Sequence, residues 1–399
     1  MTSISPDPGT SPAERLMLEF LFTHGPATRS ELQQQLGVSR TTLSQIVGKL
    51  LGNGVLETSG KAEYGTGRNG RPTQRLSIKA DLGAAVGIEL GRSRTSVTVV
   101  ALDGRPVDQF SVTVSSDASP GVRLSTAVEF LADLLQQGRL NRAAVLGVGV
   151  GIATRHDSAQ TERPDAAVQA DPEGLSLEPL RALFRSPVIW DNNIRMAAVT
   201  ELAAEGEQTT TGTLLYVMLS AGISSGILLD GRIYRGTFGA AGELGHICVD
   251  PAGPQCWCGA IGCLESVLGT GAVLRVACEA GLGTASIAAL SSAIGAPDAT
   301  AVRLATQLGG VLGQALAAAA MLLDPQSIVL TGDLVQLGEP FLAAAAAQLH
   351  SRRAAVGLPA CEIRVTSYSE HAGSLGAAQA AIRRWGTEHI ARQNRSAPS

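Results

Sequence analysis

GHICVDPAGPQCWCGAIGCLE, residues 245–265, sets one histidine and three cysteines at H-x9-C-x-C-x4-C between glycines. One neutral imidazole and three thiolates suit a single Zn²⁺ held by His246, Cys256, Cys258 and Cys263. Such a set fills a tetrahedral structural site and leaves no position open for catalysis. A redox-silent cluster of buried cysteines is the plainer alternative, since free Cys is common in cores. A polar histidine and three sulfurs in one tight segment suit an apolar core poorly. Cys248 offers a further sulfur, but its Ile-Cys-Val setting reads as strand interior.

Outward from this loop, the chain has the length for two or three domains with sizeable cores, at 399 residues. With 45% hydrophobic and 17% charged residues, it reads as a soluble globular protein. No run reaches the roughly 18 uninterrupted apolar positions of a membrane helix, and MTSISPDPGTSP has neither the basic nor the apolar part of an export signal. The expected home is the cytoplasm. Four of the six cysteines fall between 248 and 263, unlike a disulfide framework spread along a secreted chain.

The net charge of −4 is unevenly divided: residues 1–80 carry nine Lys/Arg against six Asp/Glu, a net of +3, which leaves −7 for the rest. A small basic head on an acidic body fits a nucleic-acid reader joined to another kind of domain. The head has the corresponding pattern. A short apolar helix begins near Pro12 and ends around His24-Gly25-Pro26, with Leu16, Leu18, Phe20, Leu21 and Phe22 in it. Thr28 with Glu31 forms a capping box for a second helix that stops at Gly37, and Ser39 caps a third. In the third, Leu43, Ile46, Val47 and Leu50 share a face and leave a small, hydroxyl-bearing, basic face outside. This is what insertion into a major groove requires.

A β-ribbon follows, out through Val55–Glu57 and back through Gln74–Ile78, with the wing GTGRNGRP at 65–72 between. Arg40, Thr41, Thr42 and Gln45 are the candidates for base edges; Lys49, Arg68 and Arg71 are those for phosphate or minor-groove contact. A helical hairpin used only between subunits is the alternative.

From Ala84 the pattern changes to strand-like runs, AAVGIELG, SVTVVALDG and QFSVTVS, then a helix over 121–137 and the strand AAVLGVGVGIA at 143–153. This indicates an α/β body. Residues 156–173 read as a long polar loop. A helical segment from Ile194 to Ala204 is expected to open a second lobe, followed by the strand TLLYVMLS, the metal loop, alanine-rich helices and the strand SIVLTGD. GSLGAAQAAIRR, 373–384, is expected to return as a helix to the first lobe.

On DGRIYRGTFGAAGELGH (230–246), the Cys-rich loop through Glu265, the DNN element at 191–193 and GRNGRPTQRLSI (67–78), the chain resembles the ROK family of sugar-responsive repressors and sugar kinases. The resemblance covers most of residues 12–384, and the fused head selects the repressor branch. It implies a winged helix-turn-helix over 1–80 and a ROK domain over 81–399. The latter is an actin-like, hexokinase-like pair of lobes: lobe one about 81–193 with 372–390, and lobe two about 194–371. It further implies a sugar held in the cleft by Asn192, Asn193, Glu243, His246 and Glu265, a structural zinc beside it, and no membrane partner. Double-stranded operator DNA bound by a homodimer or tetramer completes the expectation.

Catalysis is argued against at three elements. The kinases of the family place an Asp where Asn193 stands, and an amide is no general base. Their first phosphate loop, Asp-x-Gly-Gly-Thr, is Glu89-Leu90-Gly91-Arg92-Ser93 here, and their glycine-rich second loop is Ser220-Ala221-Gly222-Ile223-Ser224. The expectation is a regulator with a non-catalytic pocket, with an ATP-dependent sugar kinase or an effector-free DNA-binding protein as alternatives. Arg92 and Arg195 read either as ordinary surface charge or as positive charge near the cleft, the latter suggesting a phosphorylated or acidic sugar.

Overall fold

The computed structural model describes residues 11–61, 74–153, 171–172, 174–204, 212–368 and 370–396, which divide into two compact units. The first comprises the described residues up to 153 together with 171–204 and 370–396; the second comprises 212–368.

In the first unit, Ser11 accepts from the Glu14 amide and opens α1 (Pro12–His24). Strand β1 (Ala27–Thr28) leads into α2 (Arg29–Leu36). Its capping box is complete: the Thr28 amide donates to Glu31 Oε2 at 2.8 Å and the Glu31 amide to Thr28 Oγ1 at 3.3 Å. Gly37, at φ 61°, ends it in the left-handed region, and Ser39 Oγ accepts from the Thr42 amide to begin α3 (Arg40–Gly52). Strands β2 (Leu56–Lys61) and β3 (Gln74–Ile78) make an antiparallel sheet with β1 in the order β1-β3-β2. Met17, Leu18 and Leu21 of α1 are buried with Leu32, Leu43, Val47, Leu50 and Leu76, whereas Leu16 is half exposed.

The chain continues through β4 (Ala84–Leu90), β5 (Arg94–Ala101), β6 (Pro106–Thr113), α4 (Pro120–Gln136), β7 (Val145–Ile152), α5 (Glu178–Phe184), β8 (Val188–Asn192), α6 (Asn193–Val199) and α7 (Glu201–Ala204). The sheet order is β6-β5-β4-β7-β8, with β6, β5 and β4 antiparallel and β4, β7 and β8 parallel. α6 packs on β7. The segment from Ile194 to Ala204 therefore belongs to the first unit and does not open the second, a correction that places the division after residue 204. Its apolar side chains are covered on all sides: Ile194, Met196, Ala197, Ala198 and Val199 are all buried.

The second unit repeats the plan. It runs β9 (Thr213–Leu219), β10 (Ile223–Leu229), β11 (Arg232–Tyr234), α8 (Leu264–Leu268), α9 (Thr270–Glu279), α10 (Ile287–Gly295), α11 (Ala299–Leu323), β12 (Ser327–Thr331), α12 (Glu339–Ala354) and β13 (Glu362–Val365). The order β11-β10-β9-β12-β13 again joins an antiparallel three-stranded meander to two parallel strands. α11 has the length and hydropathy of a membrane-spanning helix, but half of its most apolar window is buried and it packs along α12. Leu304, Leu308, Leu312 and Leu316 of α11 join Phe341, Ala345 and Leu349 of α12 in the core.

Helix α13 (Ala372–Ser396) returns to the first unit, lying on β4, β5, β7 and α6 and against α1. Glycines in the strands permit this. A Cβ on Gly149 would sit 2.0 Å from the Ala377 carbonyl oxygen, and one on Gly87 1.8 Å from that of Ser374. These strand glycines serve helix-to-sheet contact.

Candidate functional site

His246 closes a short turn whose amide donates to the Glu243 carbonyl, and Cys256 and Cys258 lie on a small hairpin. There the Cys256 amide donates to Ala260 O at 2.7 Å and the Gly262 amide to Pro254 O at 2.9 Å. Gly262, at φ 71°, passes so close to Asp250 that a Cβ would stand 1.6 Å from its carbonyl oxygen. Only glycine turns the chain there into Cys263.

One ligand atom from each of His246, Cys256, Cys258 and Cys263 lies within 4.8 Å of the others, so the four can hold a metal ion. Cys256 Sγ is 3.7 Å from His246 Nδ1, and Cys258 Sγ is 3.7 Å from Cys263 Sγ. A tetrahedron with metal–sulfur arms of about 2.3 Å has edges of roughly 3.8 Å, so the spacing fits that geometry. Burial and then the neighbouring sulfurs of Cys258 and Cys256 push the Cys263 thiol up to about 12, whereas hydrogen bonding, first from the Ala260 backbone, lowers Cys258. Cys248 is outside the four, but it is exposed and lies at an isolated bridge outside the strands, which corrects its reading as strand interior.

Glu265 follows the last cysteine by two residues. Its Oε2 accepts from the Ile223 amide at 2.8 Å and its Oε1 from the Trp257 indole. The Trp257 ring stands edge-on to His246, with centroids 4.9 Å apart. The sequence reading missed Trp257; its place between Cys256 and Cys258 was the available signal. Glu243 is exposed, and its side chain makes no cap to the turn it precedes.

In the first unit, Asn193 Nδ2 donates to Glu89 Oε1 at 3.1 Å and Ser96 Oγ donates to Glu89 Oε2 at 3.3 Å. Burial pushes the Glu89 carboxyl above its ordinary range; the hydrogen bonds from Asn193 and Ser96 and the charge of Arg94 oppose this in that order. Gly373 makes room, since a Cβ there would be 2.4 Å from Glu89 Cδ. Two of the three departures from the kinase pattern thus meet as one hydrogen-bonded pair, which their separation of 104 positions concealed. Asn192 spends its Oδ1 on the Ile194 amide at the start of α6. Of the five candidate sugar contacts, Asn192 and Asn193 are in the first unit, and Glu243, His246 and Glu265 are in the second.

Arg195 is buried, and its Nη1 lies 3.3 Å from Asp191 Oδ1, which also accepts from the Asn192 amide. Its charge is matched within the fold, which corrects both the reading of Arg195 as surface charge and the reading of it as charge offered to an anionic sugar. Arg92 is exposed.

In the head, Arg40, Thr41, Thr42 and Gln45 all stand exposed on α3, opposite the buried Leu43, Ile46, Val47 and Leu50. Lys49 is committed more than expected, with its Nζ 2.8 Å from Glu14 Oε2 of α1. Arg68 and Arg71 lie outside the described residues.

Two units of matching sheet topology, a loop whose His246, Cys256, Cys258 and Cys263 could hold a metal ion, and an N-terminal helix-turn-helix with a ribbon make up the described chain. The chain matches the ROK family over residues 85–384 and belongs to it. It is 25% identical over 269 residues to the xylose repressor of Caldicellulosiruptor bescii, covering 65% of this chain and 64%, under two thirds, of that protein's length. It is 24% identical over 332 residues to the DNA-binding transcriptional dual regulator NagC of Escherichia coli, covering 80% of each.

Among solved structures, a ROK family transcriptional regulator described as a homolog of the E. coli MLC protein aligns over 96% of this chain and 97% of its own, with a TM-score of 0.69 at 20% identity. The ROK hexokinase of Thermus thermophilus aligns over 76% of this chain and 99% of its own, with a TM-score of 0.61 at 27% identity.

Proposed function

We propose that this protein is a sugar-responsive transcriptional repressor of the cytoplasm, with a winged-helix head over 1–80, a structural Zn²⁺, and no phosphoryl-transfer activity. The observation that carries the reading is the Glu89–Asn193 pair. At the position where the family's kinases have a general base, this chain has an amide whose Nδ2 donates to the Glu89 carboxyl. An amide of this kind takes no proton from a sugar hydroxyl. The relatives named as a xylose repressor and as a DNA-binding transcriptional dual regulator support the regulatory reading.

The head reads operator DNA through Arg40, Thr41, Thr42 and Gln45, with Arg68, Arg71 and the half-exposed Lys49 toward phosphates or the minor groove. Zn²⁺ held by His246, Cys256, Cys258 and Cys263 supplies a covalent-strength cross-link to the loop when bound. The residues around that loop do the rest: Trp257 donates to Glu265 and so holds its carboxylate beside the start of β10. Asn192, Asn193, Glu243, His246 and Glu265 are the side chains offered to sugar hydroxyls, and a homodimer or tetramer presents two heads to a palindromic site.

The test is binding of the zinc-loaded chain to its own upstream DNA at fixed salt, titrated with free and phosphorylated sugars, with ATP-dependent phosphorylation of the same sugars followed in parallel. A sugar that changes operator affinity while remaining unphosphorylated bears the proposal out. Phosphorylation above background would make the chain a kinase, and operator binding indifferent to every sugar would remove the effector role.

A further inference from the structure

We propose that Cys248 is a redox-active thiol that, on oxidation by a peroxide, forms a disulfide with the metal ligand Cys263 and expels the metal. The inference rests on the zinc reading above. Its basis is register: Cys248 and Cys263 face each other across an isolated antiparallel bridge. The flanking bonds, Val249 N to Gly262 O at 2.8 Å and Leu264 N to Ile247 O at 2.9 Å, make this a non-hydrogen-bonded pair. Residues so placed have Cα atoms about 4.5 Å apart and side chains on one face of the ladder. Disulfides take Cα separations of roughly 4.4–6.8 Å, so a rotation about χ1 suffices to join the two without moving the backbone.

The two partners differ in access. Cys248 is exposed and is not one of the four clustered ligands, whereas Cys263 is fully buried. Cys258, although exposed, has a sulfur electron pair engaged when metal is bound. The non-ligand thiol is therefore the first target.

In the first step the Cys248 sulfur attacks one peroxide oxygen; an S–O bond forms, the O–O bond breaks, and the departing hydroxide leaves as water with the thiol proton. In the second step the Cys263 thiolate attacks the resulting sulfenic acid. An S–S bond forms and the S–O bond breaks, a proton from solvent carries the hydroxide off as a second water, and Cys263 no longer binds Zn²⁺. The two sulfurs lose two electrons and the peroxide gains them. Loss of the metal unties the hairpin that carries Trp257, and with it the Trp257 bond to Glu265.

The experiment treats the full-length protein with hydrogen peroxide, following zinc release with a chromogenic chelator and mapping disulfides by mass spectrometry under non-reducing conditions. Zinc content is measured before the oxidant is added. The expected result is release accompanied by a Cys248–Cys263 linkage that thiol reductant reverses. In Cys248→Ser and Cys248→Ala, each with unchanged zinc content, release should be slower by roughly tenfold or more. Protein that holds no zinc at the outset would overturn the metal assignment, and the proposal with it. Zinc-loaded variants that release metal as fast as the unsubstituted protein, or a linkage that joins only Cys256, Cys258 and Cys263 among themselves, would overturn the redox role alone.

Discussion

At Glu89 the charge state is set by surroundings that favour the neutral acid. Burial raises its titration above the ordinary carboxylate range, so the folded chain holds that proton at pH values where the unfolded chain has lost it. Stability from this group is complete below the ordinary range and declines as pH rises through the raised value. Glu89→Gln should therefore flatten the alkaline limb of the stability profile, as read by denaturant midpoints between pH 5 and 9, because the amide keeps an acceptor for Asn193 and never ionises. An alkaline limb equal to that of the unsubstituted protein would mean that Glu89 does not govern it. Arg195 illustrates the same logic with the opposite outcome, since Asp191 beside it compensates the buried charge.

Among the elements, α1 links head and body within the first unit, because it packs on α13. His24, at its C-terminal end, is lowered to about 4, by burial first and then by the positive charge of Arg383 on α13. A histidine whose folded value lies below its unfolded value of 6.5 lends stability that is complete above 6.5 and is lost as pH falls toward 4. His24→Gln should remove that acid-limb loss, measured as the change in melting temperature between pH 7 and pH 5. Gly386, where a Cβ would meet Phe22 Cζ at 2.6 Å, marks the closeness of this contact. The capping box of α2 makes a simpler case. Thr28→Ala removes the acceptor for the Glu31 amide and should cost about 1 kcal/mol in denaturant unfolding.

For the whole molecule, the proposed operator binding would divide into a term that reads bases and a term that senses salt. Arg40→Ala or Gln45→Ala should cost about 1–3 kcal/mol on the operator and relax discrimination at one base position, while non-specific binding changes less. Arg68→Ala and Arg71→Ala should each weaken all sequences alike and reduce the slope of log affinity against log salt by about one. Titrations at several salt concentrations separate the two. Lys49→Ala is expected to lose stability as well as affinity, because it also breaks the pair with the buried Glu14.

Much of the fold was legible in local sequence, for a physical reason. The caps at Thr28 and Ser39 act within three residues, so the starts of α2 and α3 could be read directly. The His246, Cys256, Cys258 and Cys263 cluster was also legible, since its four side chains lie within 18 positions and glycines dictate the turns between them. The sequence by itself thus determined the helix-turn-helix order, the α/β body and the His246, Cys256, Cys258, Cys263 set. Only the tertiary structure decided which distant groups meet: Asn193 hydrogen-bonded to Glu89, Lys49 paired with Glu14, and the like charge of Arg383 beside His24. It also decided that 194–204 joins the first unit and that Cys248 faces Cys263. Each of these depends on how strands register and helices pack, and periodicity along the chain carries no information about which buried face meets which.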